Sequence, residues 1–383
     1  MKTLFLLNVT AITPHGLQPN HTIKIQDGRI TAVLPNEDVH ELPADVEIFD
    51  ACGAYAAPGF IDLHIHGYAG HGPENASADD LLAMSAALAK QGVCAFCPTL
   101  YCGTEEEMAH ILRATVGAFG RETGAKMLGY HLEGPFISPQ KPGVMKPQDI
   151  LAPSVDVLAR LYKAAQGKIC SMTLAPERPG MEPVIAFCRE HRILMQAGHT
   201  NATYEEFLAA TRQGITHATH LFNAMSPFNH RAPGAAGAVL LHPQISCEII
   251  ADGVHVHPDV VRFLGRIKPP QQIALVTDAL KPTGQEKGPF YANGEEVILD
   301  GGVWKRKADK VIAGSALTML KGVQNLVRFG FTLAQAAACA AAVPARLLGL
   351  NTRGQVAPDM RADLTLFDKD FHLKAVFING ERK

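Results

Sequence analysis

Short apolar runs alternate with longer amphipathic stretches through the middle of the chain. Stretches with a helical pattern, such as 76–92, 203–214 and 258–267, separate most of these runs. The apolar runs lie at 60–66, 93–100, 126–134, 170–177, 193–200, 215–225, 246–256 and 273–280. Eight strands alternating with helices predict an α/β fold, a parallel (β/α)8 TIM barrel. A doubly wound open sheet is the alternative, but no glycine-rich nucleotide-binding motif favours it.

Both ends of the chain alternate with period two, a pattern typical of β-strands. Two dipeptides that favour hairpin turns interrupt this pattern, Asp27-Gly28 near the start and Asn379-Gly380 near the end. Chain ends often lie close together, so we expect the two ends to pair into one small β domain.

These patterns divide the chain into two units. We predict a small β-sandwich domain from residues 1–57 and 350–383, and a barrel domain from residues 58–349. Within the barrel domain, residues 285–312 carry further turn signals and predict a β-hairpin excursion after the eighth strand. The alanine-rich region within 320–350 has the composition of closing helices.

Composition restricts the kinds of partner. The 383 residues are 47% hydrophobic and 19% charged, with a net charge of -2. This is an ordinary globular balance, and without a stripe of lysine or arginine it argues against nucleic-acid binding. No apolar run is long enough to span a membrane, and the apolar start at 4–7 is too short for a signal peptide.

The eight cysteines show no paired spacing, which predicts free thiols in a reducing cytoplasm. Cys94 and Cys97 form a C-x-x-C, but they lie in an apolar strand. Positions three apart on a strand face opposite sides. We therefore expect buried structural thiols in preference to a redox or zinc site.

Polar side chains fall near the C-terminal ends of the predicted strands. In a TIM barrel these ends meet at one mouth, where the active site is built. The residues concerned are His64, His66, Glu133, Glu177, His199, His220, His255 and Asp278. Because each buried polar group must otherwise be satisfied separately, their convergence indicates a functional site.

Glu133, His199 and His220 combine one carboxylate with two imidazoles. This set is typical of a catalytic zinc or similar divalent ion, with one position left for water. Such an ion lowers the pKa of its water towards ~7. Asp278 is then the natural general base and acid, which takes a proton from the water and returns it to the leaving group.

His64 and His66 share one strand face, because side chains on a strand repeat every two residues. If both point into the barrel, they can hold a second ion that shares a carboxylate with the first. The alternative is that one of them hydrogen-bonds a metal ligand instead of the metal.

Seven motifs occur in order from residue 58 to residue 319. They are PGFIDLHIHG (58–67), HLEGP (131–135), AGHTNAT (197–203), THLFNAM (219–225), ADGVH (251–255), LVTDA (275–279) and AGSALTM (313–319). Together they resemble those of the N-acetylglucosamine-6-phosphate deacetylases of the amidohydrolase superfamily, whose small β-sandwich also fits both termini. The resemblance implies hydrolysis of N-acetylglucosamine 6-phosphate to glucosamine 6-phosphate and acetate, in amino-sugar catabolism or cell-wall recycling.

The resemblance also implies roles for individual residues. Glu133, His199 and His220 match the metal ligands of the family, and Asp278 matches its catalytic aspartate. The substrate positions comprise the pair Asn223 and Ala224, the phosphate and sugar clamp of Arg231 and His255, then Val144, Met145, Ile312, Ala313, Gly314 and Ser315. The clamp can include groups from a neighbouring subunit, since the family is commonly dimeric.

The implied cofactor is a divalent metal, first of all zinc, with one or two ions per chain and Fe2+, Mn2+, Co2+ or Cd2+ as alternatives. The implied partners are an amino-sugar phosphate and a second copy of the chain, with a tetramer as the alternative assembly. Neither nucleic acid nor a membrane is an expected partner.

Two features vary within this family. The pair His64 and His66 resembles the members that hold two ions. Met145 departs from the family pattern, which has histidine or sometimes glutamine in a segment that here reads KPGVMKP. A thioether is a weak acceptor, so the gluco or galacto preference stays open. We expect a second ion to take over the carbonyl polarisation that the usual side chain supplies.

Other functions share parts of this pattern. An N-acetylgalactosamine-6-phosphate deacetylase would carry the same motifs. A cyclic-amide hydrolase typically bridges its metals with a modified lysine on strand four, and 171–177 contains no lysine. A deaminase would not explain HLEGP, and a non-catalytic sugar-phosphate sensor would not need Asp278 beside a complete ligand set.

Overall fold

The structure is a computed structural model that describes residues 2–40 and 42–383. Its described residues begin with five strands, β1 (Thr3–Thr13), β2 (Gly16–Gln26), β3 (Arg29–Pro35), β4 (Glu47–Asp50) and β5 (Tyr55–Pro58). Gln26 pairs with Arg29 between β2 and β3, which confirms the predicted hairpin at Asp27-Gly28.

The middle of the chain alternates strands with helices. Its strands are β6 (Phe60–Ile65), β7 (Val93–Leu100), β8 (Lys126–Met127), β9 (Tyr130–Glu133), β10 (Ile169–Leu174), β11 (Leu194–Ala197), β12 (His217–Ala218), β13 (Ser246–Ile250) and β14 (Ile273–Val276). Its helices are α1 (Ala78–Ala89), α2 (Glu105–Thr115), α3 (Val155–Ala164), α4 (Glu182–Glu190), α5 (Tyr204–Arg212), α6 (Gly234–Leu241) and α7 (Pro258–Ile267). The stretches predicted as helical contain α1, α5 and α7.

Within the described residues, eight of these strands form one parallel sheet in the order β6-β7-β9-β10-β11-β12-β13-β14, and β8 pairs beside β7. Backbone hydrogen bonds connect the two ends of this sheet. The N–H of Asp278 donates to the carbonyl of His64 at 2.8 Å, and the N–H of His66 donates to the carbonyl of Ala279 at 3.0 Å. The predicted barrel is therefore confirmed, and the open sheet is wrong.

An antiparallel sheet follows the eighth barrel strand. It consists of β15 (Phe290–Ala292), β16 (Glu295–Asp300), β17 (Val303–Arg306) and β18 (Ile312–Ser315). The predicted hairpin excursion is thus part of a larger sheet. The N–H of Ser315 donates to the carbonyl of Asp278 at 2.8 Å, so β18 is attached directly behind the predicted catalytic residue.

Three helices and three strands complete the chain: α8 (Met319–Arg328), α9 (Leu333–Ala340), α10 (Ala342–Leu347), β19 (Leu364–Phe367), β20 (Leu373–Ile378) and β21 (Glu381–Arg382). The last strands join the first in a sheet ordered β21-β20-β19-β5-β1-β2-β3, with β4 beside β1. Leu6, Ile23 and Leu366 pack in its core. The predicted pairing of both chain ends into one small β domain is confirmed. We propose that the domain boundaries follow residue 57 and precede residue 350.

Cys94 and Cys97 face opposite sides of β7, as predicted. Cys94 packs against Val376 and Ile378 of the small β domain. Cys97 lies inside the barrel near Ile250. Both thiols are buried, and their opposite orientation prevents them from acting together on one ligand.

None of the helices in the described parts of the chain has the length and apolar character that a membrane span requires.

Gly198 allows neighbouring barrel strands to approach closely below the mouth. A Cβ at this position would lie 2.5 Å from the Cβ of Thr219 and 2.9 Å from Cγ2 of Thr173. We therefore expect Gly198→Ala to lower the free energy of unfolding by roughly 1–3 kcal/mol through overpacking, measured by urea unfolding. Gly117→Ala is the matched control, because an added Cβ there has no neighbour within 4 Å. Equal stability of the two variants would contradict this prediction.

Candidate metal centre

Glu133 lies at the centre of a group of buried imidazoles. Its Oε1 is 3.0 Å from Nε2 of His199 and 3.0 Å from Nε2 of His220. The two imidazole nitrogens are 3.2 Å apart, and all three side chains are buried. Ligand atoms around a tetrahedral zinc ion with bonds of ~2.0–2.1 Å lie about 3.3 Å apart. The spacing of the three atoms therefore fits a metal site.

A hydrogen bond orients the His199 ring. Its Nδ1 lies 2.9 Å from the backbone oxygen of Lys141. A carbonyl oxygen can only accept, so Nδ1 carries a proton and Nε2 is the nitrogen available to a cation. Nε2 faces Glu133, as a metal ligand requires.

His64 and His66 form a second group on the other side of Glu133. Nε2 of His66 is 3.2 Å from Oε2 of Glu133 and 3.4 Å from Oδ1 of Asp278. Nε2 of His64 is 3.5 Å from Oε1 of Glu133 and 3.6 Å from Oδ1 of Asp278. The structure thus brings the five predicted ligand residues and Asp278 into one buried cluster.

The donor set fits divalent cations. Nε2 of His64 is buried and has no hydrogen-bond partner among the described residues. Acceptor atoms that face one another at about 3 Å repel unless a proton or a cation lies between them. Imidazole nitrogen and carboxylate oxygen are ligands that zinc and related ions prefer. Glu133, His199 and His220 can hold one ion, and His64, His66 and Glu133 can hold another.

The pKa shifts of the cluster residues also show that the carboxylates are stabilised by positive charge. Burial raises the pKa of the Glu133 carboxyl, but the charges of His64 and His199 outweigh burial and hold this pKa well below its usual range. Burial lowers the pKa of His64, but Glu133 and Glu248 outweigh burial and raise it well above its usual value. The Asp278 carboxyl behaves in the same way as that of Glu133. Burial raises its pKa, but the charge of His64 outweighs burial and lowers the pKa below its usual value. The carboxylates therefore stay ionised inside the barrel.

Three of the cluster residues have left-handed backbone conformations. The φ angles are 44° at His199, 24° at His220 and 50° at Asp278. Such angles are uncommon outside glycine and cost on the order of 1–3 kcal/mol each. Each residue lies just beyond the end of its strand, where the turn directs its side chain into the mouth. The backbone therefore stores strain where the ligand cluster is assembled.

Glu248 contacts two residues of the cluster, and sequence reasoning missed it. It lies within β13, and its Oε2 accepts from Nδ1 of His64 at 3.0 Å and from the backbone N–H of His220 at 3.1 Å. Burial raises the pKa of this carboxyl, but the charge of His64 outweighs burial and lowers the pKa to about 2. An ionised carboxylate only accepts, so Nδ1 of His64 carries a proton, and Nε2 is the ring nitrogen that faces Glu133. The available signal was a single carboxylate in the apolar run SCEII, 246–250.

Glu177 supports the turn after His199. It accepts from the hydroxyl of Thr200 at 2.6 Å and from the backbone N–H of Asn201 at 2.7 Å. This carboxylate therefore stabilises the segment that carries a ligand, and it is not among the candidate metal groups of the described residues.

The predicted substrate residues that follow β12 and β13 make different contacts. The Asn223 amide donates to the backbone oxygen of His220 at 3.3 Å, and Ala224 follows it in the same turn. Nδ1 of His255 is 2.6 Å from Oδ2 of Asp252. Arg231 is exposed and forms no ion pair within the described residues. Within the described residues, neither Arg231 nor His255 forms a hydrogen bond with a residue of the cluster.

Met145 packs into an apolar layer beneath the β15–β18 sheet. It is 3% exposed and belongs to a buried cluster with Tyr101 and Trp304. Val144 beside it is partly exposed. The predicted substrate segment Ile312, Ala313, Gly314 and Ser315 forms β18. A Cβ on Gly314 would lie 2.9 Å from the carbonyl oxygen of Asp278, so this segment packs directly on the backbone of that residue.

Comparison with known proteins assigns the class. The chain belongs to the amidohydrolase family, whose profile matches residues 55–383. It is 32% identical over 391 residues to an N-acetylglucosamine-6-phosphate deacetylase of Bacillus subtilis, which covers 99% of this chain and 96% of that protein. It is also 32% identical over 373 residues to an N-acetylgalactosamine-6-phosphate deacetylase of Escherichia coli O157:H7, which covers 97% of this chain and 96% of that protein.

A solved structure shows the same architecture. The crystal structure of N-acetylglucosamine-6-phosphate deacetylase from Pasteurella multocida matches with a TM-score of 0.92 at 30% identity, covering 100% of this chain and 99% of that chain. The family resemblance drawn from the seven motifs is therefore confirmed.

Glu248→Gln tests whether the His64 tautomer matters for metal binding. Glutamine keeps the size of the side chain, but its NH2 can donate to Nδ1 and leave the ring proton on Nε2, towards Glu133. We expect the affinity for a second zinc ion to fall about 10–100-fold, measured by titrating metal-free protein with zinc. Glu296→Gln is the control, because Glu296 is a partly exposed partner of Lys307. Identical zinc titrations of Glu248→Gln and the parent protein would rule out this role.

Proposed function

We propose that this chain hydrolyses the acetamide group of N-acetylglucosamine 6-phosphate to glucosamine 6-phosphate and acetate. The observation that carries the proposal is the buried cluster of Glu133, His199, His220 and Asp278 at the barrel mouth. The amidohydrolase family supports hydrolysis of an amide bond. Similarity over nearly the whole chain to amino-sugar phosphate deacetylases supports the substrate class.

Glu133, His199 and His220 would hold the first divalent ion, and zinc is the expected metal. Fe2+, Mn2+, Co2+ and Cd2+ also suit a set of imidazoles and carboxylate. A bound ion supplies Lewis acidity, which lowers the pKa of water and polarises an amide carbonyl.

Asp278 would carry the proton during the reaction. It lies beyond β14 with Oδ1 facing the cluster, 3.4 Å from Nε2 of His66. An ionised carboxylate there accepts the proton of the attacking water. The same carboxyl then donates this proton to the amide nitrogen as the C–N bond breaks. The sugar leaves as an amine, and the acetyl group leaves as acetate.

Arg231 and His255 would bind the phosphate and the sugar. The planar guanidinium of Arg231 suits phosphate oxygens and is unpaired among the described side chains. Phe228, in the same loop, is 52% exposed. An exposed aromatic ring beside a free cation supports a contact with a second copy of the chain. We therefore propose a homodimer in which this loop lies at the subunit interface.

The remaining substrate contacts are also proposals: Asn223 and Ala224 beside His220, Val144 and Met145 beside the β15–β18 sheet, and Ile312 to Ser315 beside Asp278. A cytoplasmic location is proposed as well, since all eight cysteines are free thiols.

N-acetylgalactosamine 6-phosphate is the second candidate substrate. The relatives named for the two epimers share the same 32% identity with this chain, so identity does not separate them. Met145 brings an apolar side chain to a segment proposed to contact the sugar. A thioether gives little hydrogen-bond discrimination between a gluco and a galacto hydroxyl.

Acetate release from a substrate panel tests the proposed function. The panel contains N-acetylglucosamine 6-phosphate, its galactosamine epimer and unphosphorylated N-acetylglucosamine, each with and without added zinc. We expect the highest kcat/KM for the phosphorylated gluco substrate. Without the phosphate, kcat/KM should fall about 10–100-fold, because each lost charged hydrogen bond costs roughly 1.5–3 kcal/mol. A higher value for the galacto epimer would select the second candidate, and no acetate from any substrate would refute both.

The same assay on Asp278→Asn separates chemistry from metal binding. We expect a loss of about 10²–10⁴-fold in kcat with unchanged metal content, because the amide cannot accept the proton. Asp300→Asn is the matched control, since Asp300 lies on the exposed end of β16. Near-normal turnover of Asp278→Asn would remove Asp278 from the mechanism.

We propose that His64 and His66 hold a second ion, which would compensate for the weak acceptor at Met145. Elemental analysis of the purified protein should then give two ions per chain. The double variant His64→Asn, His66→Asn should retain one ion and melt at a lower temperature. His372→Asn is the control, because Asp368, Asp370 and His372 form a group at the surface, with Asp368 partly exposed, that could bind metal adventitiously. One ion in the parent protein, with unchanged activity in the double variant, would overturn the two-ion proposal.

A further inference from the structure

Two thiols meet inside the barrel, away from the metal centre. The Sγ atom of Cys97 on β7 lies 3.5 Å from the Sγ atom of Cys170 on β10. The two residues are 73 positions apart, so no local motif relates them. We call Cys97 and Cys170 the thiol pair.

The barrel makes this contact possible through a gap on the intervening strand. β9 lies between β7 and β10 in the sheet. Just before β9, Gly129 leaves the space beside Cys170 free of a side chain. A Cβ on Gly129 would lie 2.6 Å from the Cβ of Cys170. Any larger residue at this position would push Cys170 away.

A register shift directs Cys170 towards its partner. Ile169 pairs with Tyr130 and Ser171 pairs with His131, which leaves Cys170 as an extra residue in β10. Such a bulge re-aims one side chain relative to its neighbours. Cys170 thereby points at Cys97, and its thiol also lies 3.4 Å from the backbone oxygen of Tyr130.

The two thiols differ in access to solvent. Cys97 is fully buried, whereas Cys170 is partly exposed. Cys170 lines a surface cleft with Met127, Gly167 and Lys168, at the end of the barrel opposite the strand ends that carry the metal ligands. The adjoining Cys170 thiol and burial raise the pKa of the Cys97 thiol well above its usual value. Cys170 is therefore the thiol that an oxidant in solution meets first.

We propose that the thiol pair is an oxidation site, at which a peroxide converts Cys97 and Cys170 to a disulfide. The Cys170 thiolate attacks one oxygen of hydrogen peroxide, the O–O bond breaks, and a sulfenic acid forms with release of hydroxide. The Cys97 sulfur then attacks the Cys170 sulfur, and the S–O bond breaks. The departing oxygen takes the Cys97 proton and leaves as water. Two thiols and one peroxide thus give one disulfide and two waters.

Peptide mass analysis under non-reducing conditions tests this proposal. The full-length, metal-loaded protein is treated with limiting hydrogen peroxide, the remaining thiols are blocked with N-ethylmaleimide, and the protein is digested. We expect a dominant cross-linked species that joins the peptides containing Cys97 and Cys170, with a mass lower by two hydrogen atoms. Dithiothreitol should abolish it. Cys52 serves as an internal control, because it is exposed and should acquire no intramolecular partner.

Two variants assign the order of events. In Cys97→Ala, Cys170 should be trapped as a sulfenic acid by dimedone and form no cross-link. In Cys170→Ala, Cys97 should remain a reduced thiol at the same peroxide dose. Recovery of both thiols as maleimide adducts in the treated parent protein would overturn the proposal. Oxidation of Cys170 to a sulfinic acid without a cross-link would overturn it too, because Cys97 would then fail to resolve the intermediate. These two contradicting outcomes are measured on the parent protein, so they remain valid if a variant does not fold.

Discussion

The negative charge of Glu133 is the constraint on which the rest of the site depends. Its two oxygens lie within 3.0 to 3.5 Å of imidazole nitrogens from four histidines, in a region closed to solvent. A carboxylate in such surroundings is stable only with positive charge beside it. Metal ions would supply this positive charge and, in addition, Lewis acidity. The barrel therefore has to deliver several ligands to one carboxylate with an accuracy of a few tenths of an ångström.

The parallel sheet achieves this accuracy through rigid supports around the ligands. Glu248 holds the ring of His64 and the backbone of His220 with one oxygen atom, so it links the two proposed halves of the centre. The carbonyl of Lys141 holds the ring of His199. In β18, the N–H of Ser315 donates to the backbone carbonyl of Asp278. Each functional side chain is thus oriented by a partner that lies on a different segment of the chain.

Sequence reasoning located those residues of the cluster that lie at a regular position in the fold. His199, His220 and Asp278 lie where apolar strands end, and a parallel barrel brings those ends together. The hairpin turn at Asp27-Gly28 was equally visible, because its residues favour the required backbone angles. Glu248 was not visible in this way, since it lies inside a strand and no periodic pattern distinguishes a supporting carboxylate from an isolated buried charge.

Contacts between distant segments of the chain were the second feature that the sequence did not predict. The sequence predicts that Cys97 faces away from Cys94, but it does not reveal that the neighbour of Cys97 in space is Cys170. That contact depends on a missing side chain at Gly129 and on a register shift in β10, and both are properties of the assembled sheet. The extension of a hairpin into the four strands β15–β18 depends likewise on packing against the segment after Asp278. Local sequence carries none of this information.

The shared terminal sheet imposes an order on biosynthesis. β5 is completed at Pro58, but its partner β19 begins at Leu364, so the ribosome produces the whole barrel between them. Throughout that interval one edge of β5 has no strand to pair with, and unpaired edges favour association between nascent chains. Neighbouring barrel strands, in contrast, mostly follow one another along the chain, and the contact between the β6 and β14 ends is the one that waits for the last barrel strand. The small domain, although it contains β1 to β5, cannot finish folding until β19 has been made.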